Sequence, residues 1–188
     1  MTWTTDDGQS GGSKGENAML QACKRGDRSA QKKLFDTLAP KMMAVCLRYL
    51  GDRQTAEDIL QDGFVTLFTR LDTYSGIGSF EGWARKIFVN TALMHLRKTD
   101  ALKLSDPLGD AVPLPSPEAT PVQDLGYKEL TALVSQLPPG YRTVFNMYVV
   151  EGYTHKEIAE TLGITEATSR SKLMRARSAL QEMIKARH

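Results

Sequence analysis

The chain has 188 residues, of which 41% are hydrophobic and 24% are charged, so it is long enough for one medium-sized domain or two small ones with modest cores. Its formal net charge of +2 identifies no partner, and no run of about 18 apolar residues occurs that could form a transmembrane helix. The polar N-terminus also lacks the apolar segment of a signal peptide. We therefore expect a cytoplasmic protein without membrane insertion.

The first part of the chain is mostly Gly, Ser, Thr and Asp, which is too polar to bury a core, so a disordered tail is predicted over residues 1–17. From Ala18 onward apolar residues recur with helical spacing, over a short segment and then over a longer one that Pro40 interrupts. The cysteines, Cys23 and Cys46, have no Cys-x-x-Cys or Cys-His spacing around them. They are expected to be small apolar core residues in a reducing compartment rather than metal ligands or redox groups.

Two stronger helical patterns complete the first domain. One starts after Asp52, a residue type that caps helix N-termini, and carries apolar residues at helical spacing as far as Leu71. The other covers residues 80–97, and its apolar positions, Met94 among them, are spaced for burial along one face. No alternating pattern typical of strands competes with them. We predict an all-α domain over residues 18–98.

The composition changes sharply between Thr99 and Leu125. This segment holds five of the eight prolines, and its five acidic residues are accompanied by one lysine. Prolines favour extended backbone and like charges repel one another, so residues 99–125 are predicted to be a flexible Pro-rich acidic linker. Helical periodicity resumes beyond the linker, which predicts a second small all-α domain over residues 126–188.

The second domain ends in two short amphipathic runs that pivot on Gly163. Thr154 and Glu157 have the spacing of a capping box, which predicts that a helix begins at His155. Gly163 can adopt the left-handed backbone conformation that ends a helix, and Thr165 can cap the next one. Two short helices joined by such a turn predict a helix-turn-helix, the motif that places its second helix in the major groove of DNA.

The second of these helices is rich in Arg and Lys. Its N-terminal part would meet base edges, and its other cations would meet phosphates. The candidate base-contacting residues are Thr168, Arg170, Ser171 and Met174, and the candidate phosphate-contacting residues are Lys172, Arg175 and Arg177. A solvated basic helix on a structural bundle is the alternative, and the capping box and Gly163 favour the helix-turn-helix.

The C-terminal helix-turn-helix and the stretch from Asp52 to Lys98 together resemble an extracytoplasmic-function sigma factor, the two-domain bacterial initiation factor of the sigma-70 family. The resemblance covers nearly everything except the tail and the linker. It implies a first domain like sigma region 2 and a second like sigma region 4. It also implies no catalytic residue, metal or cofactor, and as partners RNA polymerase core (beta-prime clamp and beta flap), promoter DNA and an anti-sigma protein.

The resemblance assigns two surfaces to the first domain and the minus-35 element to the second. An acidic and amide stripe on the helix after Asp52 matches the surface for the beta-prime clamp; its residues are Asp58, Gln61 and Asp62. The next helix is basic, and the glycine-bearing loop before it consists of residues 75–79. Together they could bind the phosphates and unstacked bases of a minus-10 element. The residues implied there are Tyr74, Ser75, Gly76, Ile77, Gly78, Ser79, Trp83, Arg85, Lys86, Asn90, Arg97 and Lys98. The alternative for the acidic and amide stripe is a solvated helix face. The alternative for the aromatic residues next to the loop is simple packing in the core.

Three positions depart from the family's pattern. Met94 stands where an Asp is common, and Met174 stands where an aromatic residue is common. Ser169 replaces an apolar residue that packs the second helix of the motif against the first. We expect less rigid base contacts and a looser C-terminal core as a result.

Two other functions compete with this interpretation. A stand-alone helix-turn-helix regulator of duplex DNA would carry a ligand pocket or receiver domain upstream, with strands between its helices, and no such pattern is found. An enzyme is the second alternative, because His155-Lys156-Glu157 resembles the His-x-Glu part of a zinc deaminase. That chemistry needs a Pro-Cys-x-x-Cys partner, which the sequence lacks.

Overall fold

The computed structural model describes residues 14–99 and 127–186. All regular elements in these two ranges are helical, which confirms the predicted all-α fold. Almost all of the predicted linker, residues 99–125, lies outside the described residues, as does most of the predicted tail. In the described part of the chain, no helix combines the length and the apolar character needed to cross a membrane.

The N-terminal range folds into α1 (Lys14–Lys24), α2 (Arg28–Leu50), α3 (Arg53–Arg70), a 3₁₀ turn (Leu71–Thr73) and α4 (Phe80–Lys98). Helices α2, α3 and α4 pack on one another, and α1 lies against α2. Helix α1 starts at Lys14, the first residue that the structure describes. Residues 14–17, the last four of the tail that was predicted to be disordered, are therefore helical.

Short polar side chains determine where α3 and α4 begin. The Asp52 carboxylate accepts a hydrogen bond from the backbone N–H of Thr55 at 2.8 Å, as its position in the sequence predicted. The Ser79 hydroxyl accepts one from the N–H of Gly82 at 3.3 Å. Each cap satisfies a backbone donor that has no partner inside its own helix. Ser79 therefore sets the point at which the glycine-bearing loop ends and α4 begins.

Two sequence expectations about these helices are wrong. Pro40 does not interrupt α2, which runs through it, because the neighbouring side chains of Leu38 and Met42 are buried and their packing outweighs the hydrogen bond that a proline removes. Met94 is not on the inner face of α4 but is 65% exposed. The inner face follows Leu93 and Leu96 instead, and this leaves Met94 pointing to solvent.

Phenylalanine rings hold the three long helices of the N-terminal range together. The ring centroid of Phe64 on α3 lies 4.4 Å from that of Phe35 on α2 and 5.0 Å from that of Phe88 on α4. Gly63 lies directly beneath Phe88: a Cβ atom at this position would lie 2.3 Å from the Phe88 ring. The absence of a side chain at Gly63 therefore allows α3 and α4 to approach closely.

We expect Gly63→Ala to lower the free energy of unfolding by about 1–3 kcal/mol, because the added methyl group must push the buried Phe88 ring out of its place. Gly82→Ala is the matched control, since its Cβ would meet nothing closer than 3.7 Å and alanine favours a helix. Urea denaturation of both variants measures the difference. Equal stability of the two variants would contradict this account of the packing.

The C-terminal range folds into α5 (Tyr127–Gln136), α6 (Pro139–Phe145), a π-helical turn that continues α6 (Asn146–Val150), α7 (His155–Leu162) and α8 (Glu166–Lys185). Helix α8 packs on α5, α6 and α7. The N-terminal range contributes α2 to the same core, since α2 packs on α5 and α6 and the buried apolar side chains of both ranges form one contiguous cluster.

Candidate nucleic-acid and polymerase interfaces

The turn between α7 and α8 has the geometry that the sequence predicted. The N–H of Glu157 donates to the Thr154 hydroxyl at 3.2 Å, and the N–H of Thr154 donates to the Glu157 carboxylate at 2.8 Å, so the capping box is confirmed. Gly163 has φ 67°, the left-handed conformation expected of it. The hydroxyl of Thr165 accepts the N–H of Thr168 at 3.0 Å and caps α8. These contacts fix the start of the basic helix.

A polar contact joins the two helices of this motif where an apolar one was expected. Ser169 is fully buried, and its hydroxyl lies 2.9 Å from Nδ1 of His155 at the start of α7. The ring of Tyr148 stacks on the His155 ring with the centroids 4.5 Å apart. A hydrogen bond thus takes the place of the apolar contact that the family's pattern has at Ser169, and the looser C-terminal core expected from this residue stays a prediction.

We expect the pKa of His155 to lie below its ordinary value of 6.5, since burial and then the nearby Arg170 disfavour the charged ring. The unfolded chain therefore binds a proton at this ring more readily than the folded chain does. The contribution of His155 to the free energy of unfolding is fully present above about pH 6.5 and is lost as the pH falls through the lower folded pKa. NMR titration of the ring protons measures this value, with the denatured chain as the reference. A folded pKa at or above 6.5 would refute the assignment.

The predicted DNA-contacting residues of α8 divide by exposure. Arg170 and Arg177 are exposed, and Arg170 pairs with Glu166 one turn earlier at 2.9 Å. Thr168, Ser171, Met174 and Arg175 are half-buried. Since a surface ion pair of this kind contributes little, Arg170 can exchange Glu166 for DNA at small cost. The exposed face of α8 thus presents cations near its N-terminus and again two turns later.

Lys172 is a correction to the predicted set of phosphate-contacting residues. It is 7% exposed, and its ammonium group lies 5.6 Å from the centroid of the Tyr141 ring on α6. The same tyrosine hydroxyl accepts a hydrogen bond from Arg175 at 3.4 Å. The residue lies on the inner side of α8 with Ser169 and Ala176, so it packs within the C-terminal range instead of facing a phosphate.

The glycine-bearing loop before α4 is closed by an aromatic cluster. The Tyr74 hydroxyl donates to the carbonyl oxygen of Gly78 at 2.7 Å, and its ring lies 5.2 Å from Phe80 and 5.4 Å from Trp83. Tyr74 and Phe80 are buried, and Trp83 is half-buried. Tyr74 is therefore a correction: its ring is not open for a base to stack on, because it holds the two ends of the loop together.

The outer part of this loop is exposed and presents an apolar side chain. Gly76 and Gly78 have φ values of 79° and 76°, a conformation that favours glycine, and Ser75, Gly76, Ile77, Gly78 and Ser79 are all exposed. Ile77, between the two glycines, is 85% exposed. The tip of the loop therefore presents one apolar side chain to solvent.

The outer face of α4 beside the loop is basic. Lys86 and Asn90 are exposed, the exposed Met94 follows one turn later, and Arg97 and Lys98 end the helix. Arg85 differs from these residues because it is only partly exposed. Its guanidinium lies 3.7 Å from the carboxylate of Glu151, a residue of the C-terminal range.

The stripe predicted on α3 is exposed along its whole length, and its residues are Asp58, Gln61 and Asp62. Val65, one turn further along the same face, is 67% exposed. Val65 was not among the predicted site residues, although an apolar residue at a polar position of the helix period is a signal in the sequence that could have identified it. The stripe thus combines two carboxylates and an amide with one exposed apolar side chain beside them.

Two sigma-factor families match separate segments of the chain: Sigma-70 region 2 matches residues 34–101, and Sigma-70, region 4 matches residues 127–180. The chain is 30% identical over 155 residues to the ECF RNA polymerase sigma factor SigE of Mycolicibacterium smegmatis, an alignment that covers 80% of this chain and 59% of that one. It is 26% identical over 180 residues to the RNA polymerase sigma-H factor of Pseudomonas aeruginosa, with 90% and 93% covered. The sigma factor RpoE, solved in complex with the anti-sigma factor NepR from Bartonella quintana, aligns with 82% of this chain and 96% of that chain at 20% identity and a TM-score of 0.49.

Each of the two family matches contains one group of the candidate surfaces described above. The stripe on α3, the glycine-bearing loop and the basic face of α4 lie in the region 2 match, and the helix-turn-helix lies in the region 4 match. They follow the chain in the order that the sequence predicted. The chain therefore belongs to the sigma-70 family of RNA polymerase sigma factors, in its extracytoplasmic-function group.

Proposed function

We propose that the chain binds RNA polymerase core and directs it to promoters, with α8 reading the minus-35 element and the loop Ser75–Ser79 with α4 opening the minus-10 element. The observation that carries this proposal is the presence of exposed cations on two separate helices of one chain, α4 beside the glycine-bearing loop and α8 of the helix-turn-helix. A regulator that only binds duplex DNA needs α8 but has no use for a second basic face beside a fixed loop.

The helix-turn-helix supports the assignment of duplex recognition to α8. A recognition helix contacts base edges with its N-terminal residues, and Arg170 is the exposed cation at that end. An arginine fork can bind the acceptors of a guanine in the major groove. Arg177, two turns later, is placed to meet the phosphate backbone. Base reading and phosphate binding are thus assigned to separate parts of one helix.

The loop and α4 support the assignment of strand opening to the first domain. Apolar side chains that insert into a base step unstack it, and Ile77 is presented for such a contact. The exposed residues Lys86, Asn90 and Arg97 on the outer face of α4 would then bind the separated strand. Tyr74 contributes indirectly, because its hydrogen bond to Gly78 fixes the loop.

The stripe on α3 is the proposed contact with the beta-prime clamp, and the C-terminal range is the proposed contact with the beta flap. An anti-sigma protein is a further proposed partner, by analogy with the Bartonella quintana factor solved with one. We propose that the chain acts in the cytoplasm and catalyses nothing itself. Both carboxylate contacts of Glu157 are to Thr154, so this residue is occupied as a helix cap and not as a deaminase acid.

Run-off transcription with purified core polymerase tests the proposal. The template carries the promoter upstream of the chain's own gene. We expect a transcript of defined length only when both core and this chain are present, together with direct binding of the two in a titration. A chain that binds duplex DNA but neither binds core nor supports transcription would be a stand-alone regulator.

A further inference from the structure

The His155 ring is held at the end of α8 that is proposed to enter the major groove. Its Nδ1 atom lies 2.9 Å from the hydroxyl of Ser169, the residue directly before Arg170. The ring of Tyr148 stacks on it with the centroids 4.5 Å apart and an interplanar angle of 23°. These two contacts fix the ring beside the base-reading end of α8, although His155 itself belongs to α7.

The second nitrogen of this ring is left for a partner outside the chain. His155 is half-buried, and the contact with Ser169 is the one hydrogen bond that its side chain makes within residues 14–99 and 127–186. Nδ1 is thus occupied, while Nε2 has no partner in this part of the chain. A protonated imidazole carries a donor on each nitrogen, so Nε2–H can bind an external acceptor while Nδ1–H stays on Ser169.

Ser169 is a partner that suits both protonation states of the ring. Its hydroxyl can donate to a neutral Nδ1 or accept from a protonated one, so the ring can take up a proton without losing this contact. An apolar residue, which the family's pattern has at this position, would leave Nδ1–H of the charged ring without an acceptor. Because Ser169 is fully buried, the contact is also shielded from water.

The charges around the ring oppose its protonation in the free chain. The pKa of His155 lies below its ordinary value because of burial first, and then because of Arg170 and Arg177, while Glu166 acts in the opposite direction. All three charged residues belong to α8. The π-helical turn, which also packs on α7, contributes Tyr148 and no charged residue.

DNA bound to α8 reverses these electrostatic effects. Arg170 and Arg177 are the exposed cations proposed to meet a base edge and a phosphate, so bound DNA places negative charge beside both. Arg170 pairs with Glu166 at 2.9 Å in the free chain. DNA that takes over Arg170 leaves the Glu166 carboxylate without this partner, where it favours a charged ring. The complex therefore favours the proton that the free chain disfavours.

We propose that binding of the minus-35 element takes up one proton from solvent at His155, and that the protonated ring donates from Nε2 to a DNA phosphate. The inference rests on the proposed function, since it needs α8 to bind this element. The added affinity is fully present below the pKa of the free chain and is lost as the pH rises through the higher pKa of the complex. Promoter binding should therefore strengthen as the pH falls through this window.

The pH dependence of promoter affinity tests this inference with two histidine variants. His155→Gln keeps an amide that can bond to Ser169 but cannot titrate. His95→Gln on α4 is the matched control, because it also removes one half-buried histidine. Holoenzyme reconstituted with each chain is titrated with the promoter upstream of the chain's own gene, from about pH 5.5 to about pH 8, which brackets the ordinary histidine pKa. Titrating groups of core polymerase are common to all three and cancel in the ratios.

We expect wild type and His95→Gln to gain about threefold to tenfold in affinity relative to His155→Gln between the alkaline and the acid end of this range, because a pKa difference of one between complex and free chain is a factor of about ten. The slope of log affinity against log salt should also be steeper by about one at the acid end, and only in the chains that keep His155, since one more phosphate is bound there. A purely structural role for His155 would change affinity without this change of slope.

Equal pH dependence of wild type and His155→Gln would overturn the inference, and so would an equal loss of pH dependence in His95→Gln. A salt slope that does not change with pH would overturn it as well, because no phosphate would then be gained. Each of these results leaves the proposed function intact, since the holoenzyme still binds the promoter. Absence of promoter binding at every pH would refute the proposed function, and the inference with it.

Discussion

Charge reversal at Asp58 and Asp62 should weaken the binding of the chain to RNA polymerase core by about 100-fold or more. Both carboxylates are exposed on one face of α3, and we propose that the clamp surface opposite them is positively charged. Lysines at these positions would place like charges opposite each other, which costs several kcal/mol. The helix itself should persist, because neither side chain contributes to its core.

A matched control separates this effect from the change in net charge. The pair Asp36→Lys and Asp72→Lys changes the charge of the same domain by the same amount at exposed positions outside the stripe. Fluorescence titration against core should show near wild-type affinity for the control and a large loss for the stripe variant, with unchanged circular dichroism in both. Equal affinity of the two double variants would remove the stripe from the polymerase interface.

Arg170→Ala should reduce the preference of the chain for its minus-35 sequence at about one base pair, by about 1–3 kcal/mol, which is a factor of about 5 to 150. The exposed guanidinium at the N-terminal end of α8 is the group placed to reach a base edge. Its pair with Glu166 is exposed and does not hold it away from DNA. The measurement is a binding titration of the holoenzyme on promoters substituted at each minus-35 position.

Arg177→Ala is the matched variant for this prediction. Because Arg177 is exposed two turns further along α8, its loss should weaken binding to all sequences alike and lower the slope of log affinity against log salt by about one. If both variants change the same positions of the specificity profile to the same degree, the division of α8 into base-reading and phosphate-binding parts is wrong.

The local features of the fold could be predicted because neighbouring residues determine them. The capping box of Thr154 and Glu157, the left-handed Gly163 and the cap at Asp52 all depend on side chains within four residues of the backbone that they satisfy. Pro40 and Met94 were mispredicted because packing against other helices decides them. A proline inside a helix is tolerated when the buried face on both sides is held by other elements.

Some of the predicted site residues are exposed, as the sequence predicted, and others are buried. Periodicity places Asp58, Lys86 and Arg177 on faces that are exposed. It cannot show that Tyr74 turns inward to bind Gly78, or that Lys172 packs over Tyr141, because both contacts depend on the tertiary arrangement. A long cation on a helix is amphipathic, so sequence alone cannot decide whether its charge faces DNA or an aromatic ring.

The contact between the domains was beyond sequence analysis for a related reason. Arg48 and Glu151 are 103 residues apart and look like ordinary charged residues. One signal was present: Arg48 interrupts an apolar run from Val45 to Leu50, and a charge in such a run has to find a partner when the run is buried. The identity of that partner follows only from the packing of α2 against α5 and α6.

Permanganate probing of promoter DNA tests the central claim most directly, because the reagent oxidises thymines only where the strands are separated. With core polymerase and this chain together, we predict reactive thymines at the minus-10 element, none with either protein alone, and loss of reactivity when Ile77 is replaced by Ser. If the chain protects the minus-35 element but the minus-10 thymines stay unreactive in the presence of core, the chain does not act as a sigma factor on that promoter and the account is contradicted.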